Sequence, residues 1–373
     1  MKFIAPSNEL LQHLLTVNGA IISKPIIPIL ENFLFDIKGN TLTIFSTDLD
    51  TSMTTSMQVE SKEDVRVAVP SKMVIDILRS LPDQPVTFSI EEPSYGIEVV
   101  NNNGRYKMAG LNGSDFPALP EKSGEGSFTV PANILLRAIS KTLFATGNDE
   151  LRLNLTGLFV EMKEDSVNFV ATDANKLVRF TRKDLKTGSD QNFIIPKKPL
   201  NLLKTALPND ETPVTVDYNR SNVFFTFGST QLIARLLDEK YPDYNAVIPT
   251  ENPNTLTISR SDFLSSINRI SIFASKTTHQ IRLKITGSEL QISAEDLEMA
   301  NEAQEKINCE YDGEDMEIGF NARFLKDMLA TIDGEQVVLK LSAPNRAGLL
   351  VPTENEKDEE ITMLIMPMML NNY

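Results

Sequence analysis

Two histidines, one cysteine and a few carboxylate runs are the side chains in this 373-residue chain whose types suit catalysis or metal binding. His13 and His279 are far apart, and neither has a recurring Cys or His neighbour, so no metal-ligand or acid–base pair can be read from them. His13 falls on a helical stretch and reads as a polar surface residue; Cys309 reads as a strand residue near Tyr311. The runs Asp48-Leu49-Asp50, Glu295-Asp296-Leu297-Glu298 and 310–315 carry oxygen ligands for a hard cation, but none has calcium-loop spacing. A Thr-Asp or Glu-Asp step instead returns at Asp48, Asp173 and Asp296, which predicts an Asx-type turn at each. The run 354–360 reads as a solvated acidic loop. Neither a Gly-rich phosphate loop nor a Gly-x-Ser-x-Gly nucleophile elbow is present. Asn112-Gly113-Ser114 and Asn154-Leu155-Thr156 have meaning as glycosylation sequons only in a secreted chain. The chemistry left to explain is that of lysines and arginines, which suits phosphate contact rather than bond-breaking.

Those cations sit in elements that repeat. The opening Phe3-Ile4-Ala5-Pro6-Ser7-Asn8 returns as Phe128-Thr129-Val130-Pro131-Ala132-Asn133 and more weakly as Leu256-Thr257-Ile258-Ser259-Arg260-Ser261. Each reads as a short strand, a polar or proline helix start, and an apolar stripe: Leu10, Leu11 and Leu14; Leu135, Leu136 and Ile139; Phe263, Leu264 and Ile267. A second strand-to-helix unit also occurs three times, at Val67–Lys72, Phe193–Lys198 and Ile318–Arg323. Pro70 and Pro196 suit the first helical turn there, and Asn321 suits an N-cap. Between the two helices of each repeat lies a hairpin, as in Leu42–Asp48, Val167–Asp173 and Leu290–Asp296. Repeats in register predict three domains of one kind, an α+β architecture with two short helices and many alternating strands in each. The boundaries fall at 1–120, 127–249 and 254–373, with linkers at 117–126 and 249–254.

Composition fits a globular chain, at 41% hydrophobic and 23% charged residues. No window approaches the roughly 20 apolar residues of a membrane helix. The start, Met1–Asn8, reaches a proline and polar residues too soon for a secretory h-region, and a single cysteine suits a reducing compartment, so a cytoplasmic protein is expected. The net charge of −15 by itself argues against a polyanion partner. Its distribution argues otherwise. The predicted helices, 8–17, 71–80, 131–141, 196–206, 261–271 and 321–330, hold ten basic residues against four acidic ones. They carry +6, which leaves −21 on the rest of the chain. Repetition would place the helices on one side of the array and the strands on the other, a basic surface set against an acidic one.

In order and spacing, the chain resembles the β subunit of bacterial DNA polymerase III, the sliding-clamp family. The resemblance rests on Pro25-Ile26-Ile27-Pro28-Ile29-Leu30-Glu31-Asn32, Thr47-Asp48-Leu49, Ala171-Thr172-Asp173, Tyr241-Pro242-Asp243-Tyr244, Met316–Asn321 and Met366-Pro367-Met368, and it runs the whole chain. It implies three topologically alike domains with helices inside and antiparallel sheet outside, closed head to tail as a dimeric ring around duplex DNA. It implies no catalysis, cofactor or metal, and contacts with DNA that are blind to sequence. The implied partners are the replicative polymerase α subunit, a clamp-loader ATPase, and repair polymerases, mismatch-repair proteins and ligase, with no membrane. The protein would be cytoplasmic and associated with the nucleoid during replication. A protein-binding repeat scaffold and a metal-dependent nuclease are the alternatives; retention on circular but not linear DNA and sensitivity to chelator separate them.

Carried over residue by residue, the resemblance places Lys24, Lys72, Arg79, Asn148, Arg152, Lys197 and Lys198 against DNA. It places Arg105, Tyr106, Lys107 and Met108 against Ile270, Ile272 and Phe273 at the dimer contact. A peptide-binding pocket would be walled by Leu155, Thr172, Ala174, Asn175, Lys176, Leu177, Pro242, Val247, Asn321 and Phe324. The tail Leu364-Ile365-Met366-Pro367-Met368-Met369-Leu370 would complete it. The chain departs from the family pattern at Lys24, often arginine, and at Ala174-Asn175-Lys176, in place of Gly-His-Arg. It also departs at Ala246 and Met369, where basic residues are common, and Asn371-Asn372-Tyr373 extends past the usual final leucine. These changes predict a less basic, more apolar pocket.

Overall fold

In the computed structural model of the chain, residues 1–122 and 124–370 are described. Six α-helices form: α1 (Ser7–Val17), α2 (Ser71–Ser80), α3 (Ala132–Thr142), α4 (Lys197–Ala206), α5 (Arg260–Ile270) and α6 (Ala322–Thr331). Each expected helix is present to within a residue at either end, because the i, i+3, i+4 stripe fixes which face is covered. In α1 that stripe is Leu10, Leu14 and Val17; in α6 it is Leu325, Met328 and Leu329. Asn321 caps α6, its side chain accepting from the Arg323 amide. Pro70 and Pro196 lie one step earlier than expected, as the last residues of their strands.

The strands form four antiparallel sheets. One five-stranded sheet runs from Glu60–Ser61 through Lys2–Pro6, Pro85–Glu91 and Gly96–Val100 to Arg105–Ala109. Phe3 stacks on Phe88 beneath it, centroids 4.8 Å apart, with Phe35 tilted against both. A four-stranded sheet runs Asn301–Asn308, Glu289–Asp296, Gln280–Thr286, Met316–Asn321. The other two sheets have nine strands each. In the first, strand Thr51–Gln58 pairs with Thr230–Arg235, from Thr55 opposite Thr230 to Thr51 opposite Ala234. In the second, Lys176–Arg182 pairs with Glu359–Ile365 along its whole length. Each thus joins strands from two different thirds of the sequence.

Two compact units result, residues 1–136 with 198–236 and residues 137–197 with 237–373. They cut across the sequence thirds because strands of the middle third belong to both nine-stranded sheets. In the first unit α1 packs on α2 and on strands Thr41–Thr47 and Thr51–Gln58. In the second, α5 packs on α6 and on strands Glu289–Asp296 and Asn301–Asn308. No helix among the described residues is long and apolar enough to cross a membrane.

The repeated acidic steps are turns, as expected. Asp48 Oδ1 accepts from the amides of Asp50 and Thr51, Asp173 Oδ1 from those of Asn175 and Lys176, and Asp296 Oδ1 from those of Glu298 and Met299. At the first two, Thr47 and Thr172 add a second acceptor to the residue after the aspartate. That residue, Leu49 or Ala174, has positive φ.

Candidate functional site: a ledge around Lys176, a basic set and two open sheet edges

Within the second unit, the hairpin turn at Asp173 and the end of strand Glu359–Ile365 meet the start of α6. Met366 donates its amide to the Asn175 carbonyl at 2.9 Å, which ties the tail to the turn. Lys176 is buried, yet its Nζ donates to Asp173 Oδ2 at 2.6 Å and stands 4.3 Å from the centroid of the Phe324 ring. A buried ammonium needs such partners, and it has both a carboxylate and a ring face. One helical turn beyond Phe324, burial holds the Asp327 carboxyl above its ordinary pKa, against the opposing charges of Lys176 and Lys326.

Behind this ledge, Leu177 and Leu364 belong to one core with Phe159, Val170, Tyr241 and Tyr244. Tyr241 stacks on Phe159 at 4.4 Å. Burial pushes the pKa of both tyrosines up, and Tyr244 also donates to Glu161 Oε2 at 2.6 Å. Burial alone would raise Glu161, but hydrogen bonds from Tyr244 and Asn168 and the charge of Lys163 leave it below the ordinary value.

Of the residues assigned to the pocket, Ala174, Asn175, Pro242, Val247 and Met366 are exposed and Asn321 and Phe324 are half-buried. Leu155, Thr172, Leu177 and Leu364 are interior, and the Thr172 hydroxyl is already committed to the Lys176 carbonyl. Ile365 is fully buried in its strand, so its side chain backs the ledge instead of facing a ligand. The tail then runs antiparallel to strand Met316–Asn321: Met368 donates to the Gly319 carbonyl at 2.8 Å and Gln280 Nε2 to the Met369 carbonyl at 3.2 Å. A Cβ at Gly319 would stand 2.7 Å from the Met368 carbonyl oxygen, so the tail can lie this close only over glycine. Gln280, Gly319 and Asp327 were absent from the sequence-derived set. A glycine inside an alternating strand was the one signal available. Met369 is 77% exposed. Asn371-Asn372-Tyr373 lies outside the described residues.

The basic set divides between the units. In the first, Lys24 is exposed with its amide held by Glu31 Oε1 at 2.8 Å, and Lys72 and Arg79 stand exposed on α2 with no ion pair among the described residues. Lys198 is already paired with Asp48. In the second, Lys197 Nζ donates to Asn148 Oδ1 at 3.2 Å, and Arg152 pairs with Asp149 at 2.9 Å. Arg137, Lys141 and Arg269 on other helices are likewise paired with carboxylates. Four of the ten helical cations counted in the sequence, Arg137, Lys141, Lys198 and Arg269, are therefore neutralised in place.

Two sheets end on open edges. Strand Arg105–Ala109 closes the five-stranded sheet, with Arg105 and Lys107 on Glu98 and Met108 buried. Strand Asn301–Asn308 closes the four-stranded sheet; sequence reasoning did not single it out. Beside it, Ile272 and Phe273 are 76% and 39% exposed, whereas Ile270 is 1% exposed. Ile270 ends the buried stripe of α5 and is core, which removes it from any contact surface. His13 is half-buried, with Nδ1 2.8 Å from the Thr55 hydroxyl, so it is no simple surface residue. Cys309 falls in the break between strands Asn301–Asn308 and Glu310–Asp312 and is buried. Among the described residues no group of three or more His, Cys, Asp or Glu side chains could hold a metal ion.

Three family models tile the chain in order: the DNA polymerase III beta subunit N-terminal domain over residues 1–120, the central domain over 129–243 and the C-terminal domain over 245–369. With the shared sheets and six helices, that order defines a three-domain sliding clamp. A beta sliding clamp of Proteus mirabilis is 30% identical over 373 residues, 99% of this chain and 100% of the relative. One of Synechocystis sp. is 29% identical over 395 residues, spanning 100% of both. The crystal structure of a Pseudomonas aeruginosa DNA polymerase sliding clamp matches with a TM-score of 0.94 at 28% identity, covering 99% of this chain and 100% of that one. The chain belongs to the DNA polymerase III beta subunit family.

Proposed function

We propose that two copies of the chain close head to tail into a ring around duplex DNA and hold a replicative polymerase to its template without catalysing a reaction. The observation that carries this reading is the strand count at the open edges. In each nine-stranded sheet, one partner third supplies five strands and the other four. The two remaining sheets have five and four strands. Pairing Arg105–Ala109 of one copy with Asn301–Asn308 of the next would repeat that composition at the junction and leave neither edge open. In this reading the domains are 1–120, 127–249 and 254–373, and Ile272 and Phe273 flank the closing edge. Lys24, Lys72, Arg79, Asn148, Arg152, Lys197 and Lys198 touch phosphates, where loose, sequence-blind contacts permit sliding.

The ledge around Lys176 takes short motifs of the Gln-Leu-x-Leu-Phe type from the polymerase α subunit, the clamp loader and repair proteins, in the cytoplasm. A Pseudomonas aeruginosa relative was solved bound to griselimycin, which supports a ligand-binding surface on the family. Tethering raises the effective concentration of the polymerase at its primer, and long products follow from that alone. Primer extension on a singly primed circle, with polymerase and loader, tests this. The chain should lengthen the products of single binding events, and Lys72→Glu/Arg79→Glu should shorten them again. Product length indifferent to the chain contradicts the reading.

A further inference from the structure

The tail has a second side. Away from the Lys176 ledge, it borders a groove of about 650 Å³ shared with the start of strand Met316–Asn321 and the loop after strand Gln336–Leu341. Met316, Pro344, Met368 and Met369 line it with apolar surface, and Glu314 and Asp315 add two carboxylates to the lining. Both carboxylates are exposed and make no ion pair among the described residues, unlike Glu317, which is neutralised by Arg282 and Lys284. Their field reaches Tyr311: burial first, then the charges of Asp315 and Glu314, push its phenol up.

The walls are set in advance. Asn252 Nδ2 donates to the carbonyls of Lys340 and Ala347, and Asn254 Nδ2 to that of Ser342, so both ends of the loop are braced. Strand Met316–Asn321 is a sheet edge, and among the described residues its outer side is bridged only where Gly319 meets Met368. By the two-residue period of a strand, Glu317 turns its own amide and carbonyl to that same side, next to the groove. Ser342 Oγ, on the facing wall, is a buried atom without a hydrogen-bond partner among the described residues.

We propose that this groove is a second docking site on the chain, taking an extended protein segment that carries Lys or Arg beside an apolar anchor. The segment adds to the edge at Glu317, which is unbridged among the described residues, as peptides add to open sheet edges generally. Its anchor enters among the methionines, whose flexible thioethers accept varied shapes, and its cations meet Glu314 and Asp315. Neither Lys176 nor Phe324 lines the groove, so one domain could hold two segments together.

Fluorescence anisotropy of a labelled Lys-Arg-Leu-Thr-Phe-Lys-Lys peptide with the full chain at low salt tests the site. Binding should saturate, and Glu314→Lys/Asp315→Lys should weaken it by about tenfold or more, as loss of complementary charge at a contact does. Glu354→Lys/Glu356→Lys makes the same change in net charge on another exposed loop and should leave affinity unchanged. A saturating Gln-Leu-x-Leu-Phe peptide should not displace the probe, and its own undiminished binding shows that each variant is folded. Equal loss in both charge variants means bulk attraction only, and displacement by Gln-Leu-x-Leu-Phe assigns the probe to the Lys176 ledge. Binding that appears only after residues 371–373 are deleted makes the chain's own end the occupant. Any of these three results overturns the proposal.

Discussion

Glu359 has a side chain only 3% exposed, yet it accepts from Arg137 at 2.7 Å and lies 3.4 Å from Arg182. Arg137 also reaches Asp333, and Lys141 donates to both Asp333 and the Thr331 carbonyl at the end of α6. Removing the central anion leaves Arg137 only Asp333 and Arg182 only Asp184 as carboxylate partners. Glu359→Gln should therefore cost about 3 kcal/mol in urea unfolding, the usual scale for breaking a buried pair. The flanking carboxylates set the pH response. The Arg182 hydrogen bond holds Asp184 low, and the Lys183 hydrogen bond does the same for Glu360. A carboxyl depressed in the folded state stabilises above its unfolded pKa, and that contribution disappears as pH falls through the folded value. The urea midpoint should thus decline as pH drops below about 4, the ordinary carboxylate range, and Lys183→Ala should flatten the decline. The Asx turns at Asp48, Asp173 and Asp296 were legible in the sequence because donor and acceptor are two or three residues apart. The Arg137–Glu359 pair joins residues 222 apart, and no local pattern announces it.

At the scale of elements, the six helices were legible because each buries one continuous stripe. Sharing of the nine-stranded sheets between thirds was not, since strands Lys176–Arg182 and Glu359–Ile365 are each consistent alone with pairing inside their own repeat. Strand Asn301–Asn308 escaped notice because none of its residues is fully buried and its half-buried side, Ala303, Glu305 and Ile307, carries a charge between its two apolar residues. The tail was read as a pocket wall; its hydrogen bonds to Asn175 and Gly319 make it an added edge segment that a peptide would meet. Deleting residues 366–373 should abolish binding of a Gln-Leu-x-Leu-Phe peptide, which otherwise binds in the micromolar range, about −8 kcal/mol. The dimer should survive, because the deleted segment borders Met316–Asn321, the edge of the four-stranded sheet opposite Asn301–Asn308. Calorimetry reads the first outcome and sedimentation the second; unchanged peptide affinity would separate the tail from the ledge.

For the whole molecule, a chain of net charge −15 is to hold a polyanion. Lys72 and Arg79, which form no ion pair among the described residues, permit contact, but four of the ten helical cations are already paired, so strong direct binding is not expected. Retention must then come from closure. Replacing Ile272 and Phe273 by aspartate puts unpaired charge beside the closing edge, and sedimentation should find monomers at micromolar concentration. Closure itself is tested most directly on DNA. The chain is loaded by clamp loader and ATP onto a nicked circular duplex, freed of excess protein by gel filtration, and the circle is then cut once. A topological ring stays on the circle at salt that screens phosphate contacts and runs off soon after the cut. Retention that is equal on circular and linear duplex, and lost from both as salt rises, contradicts encirclement.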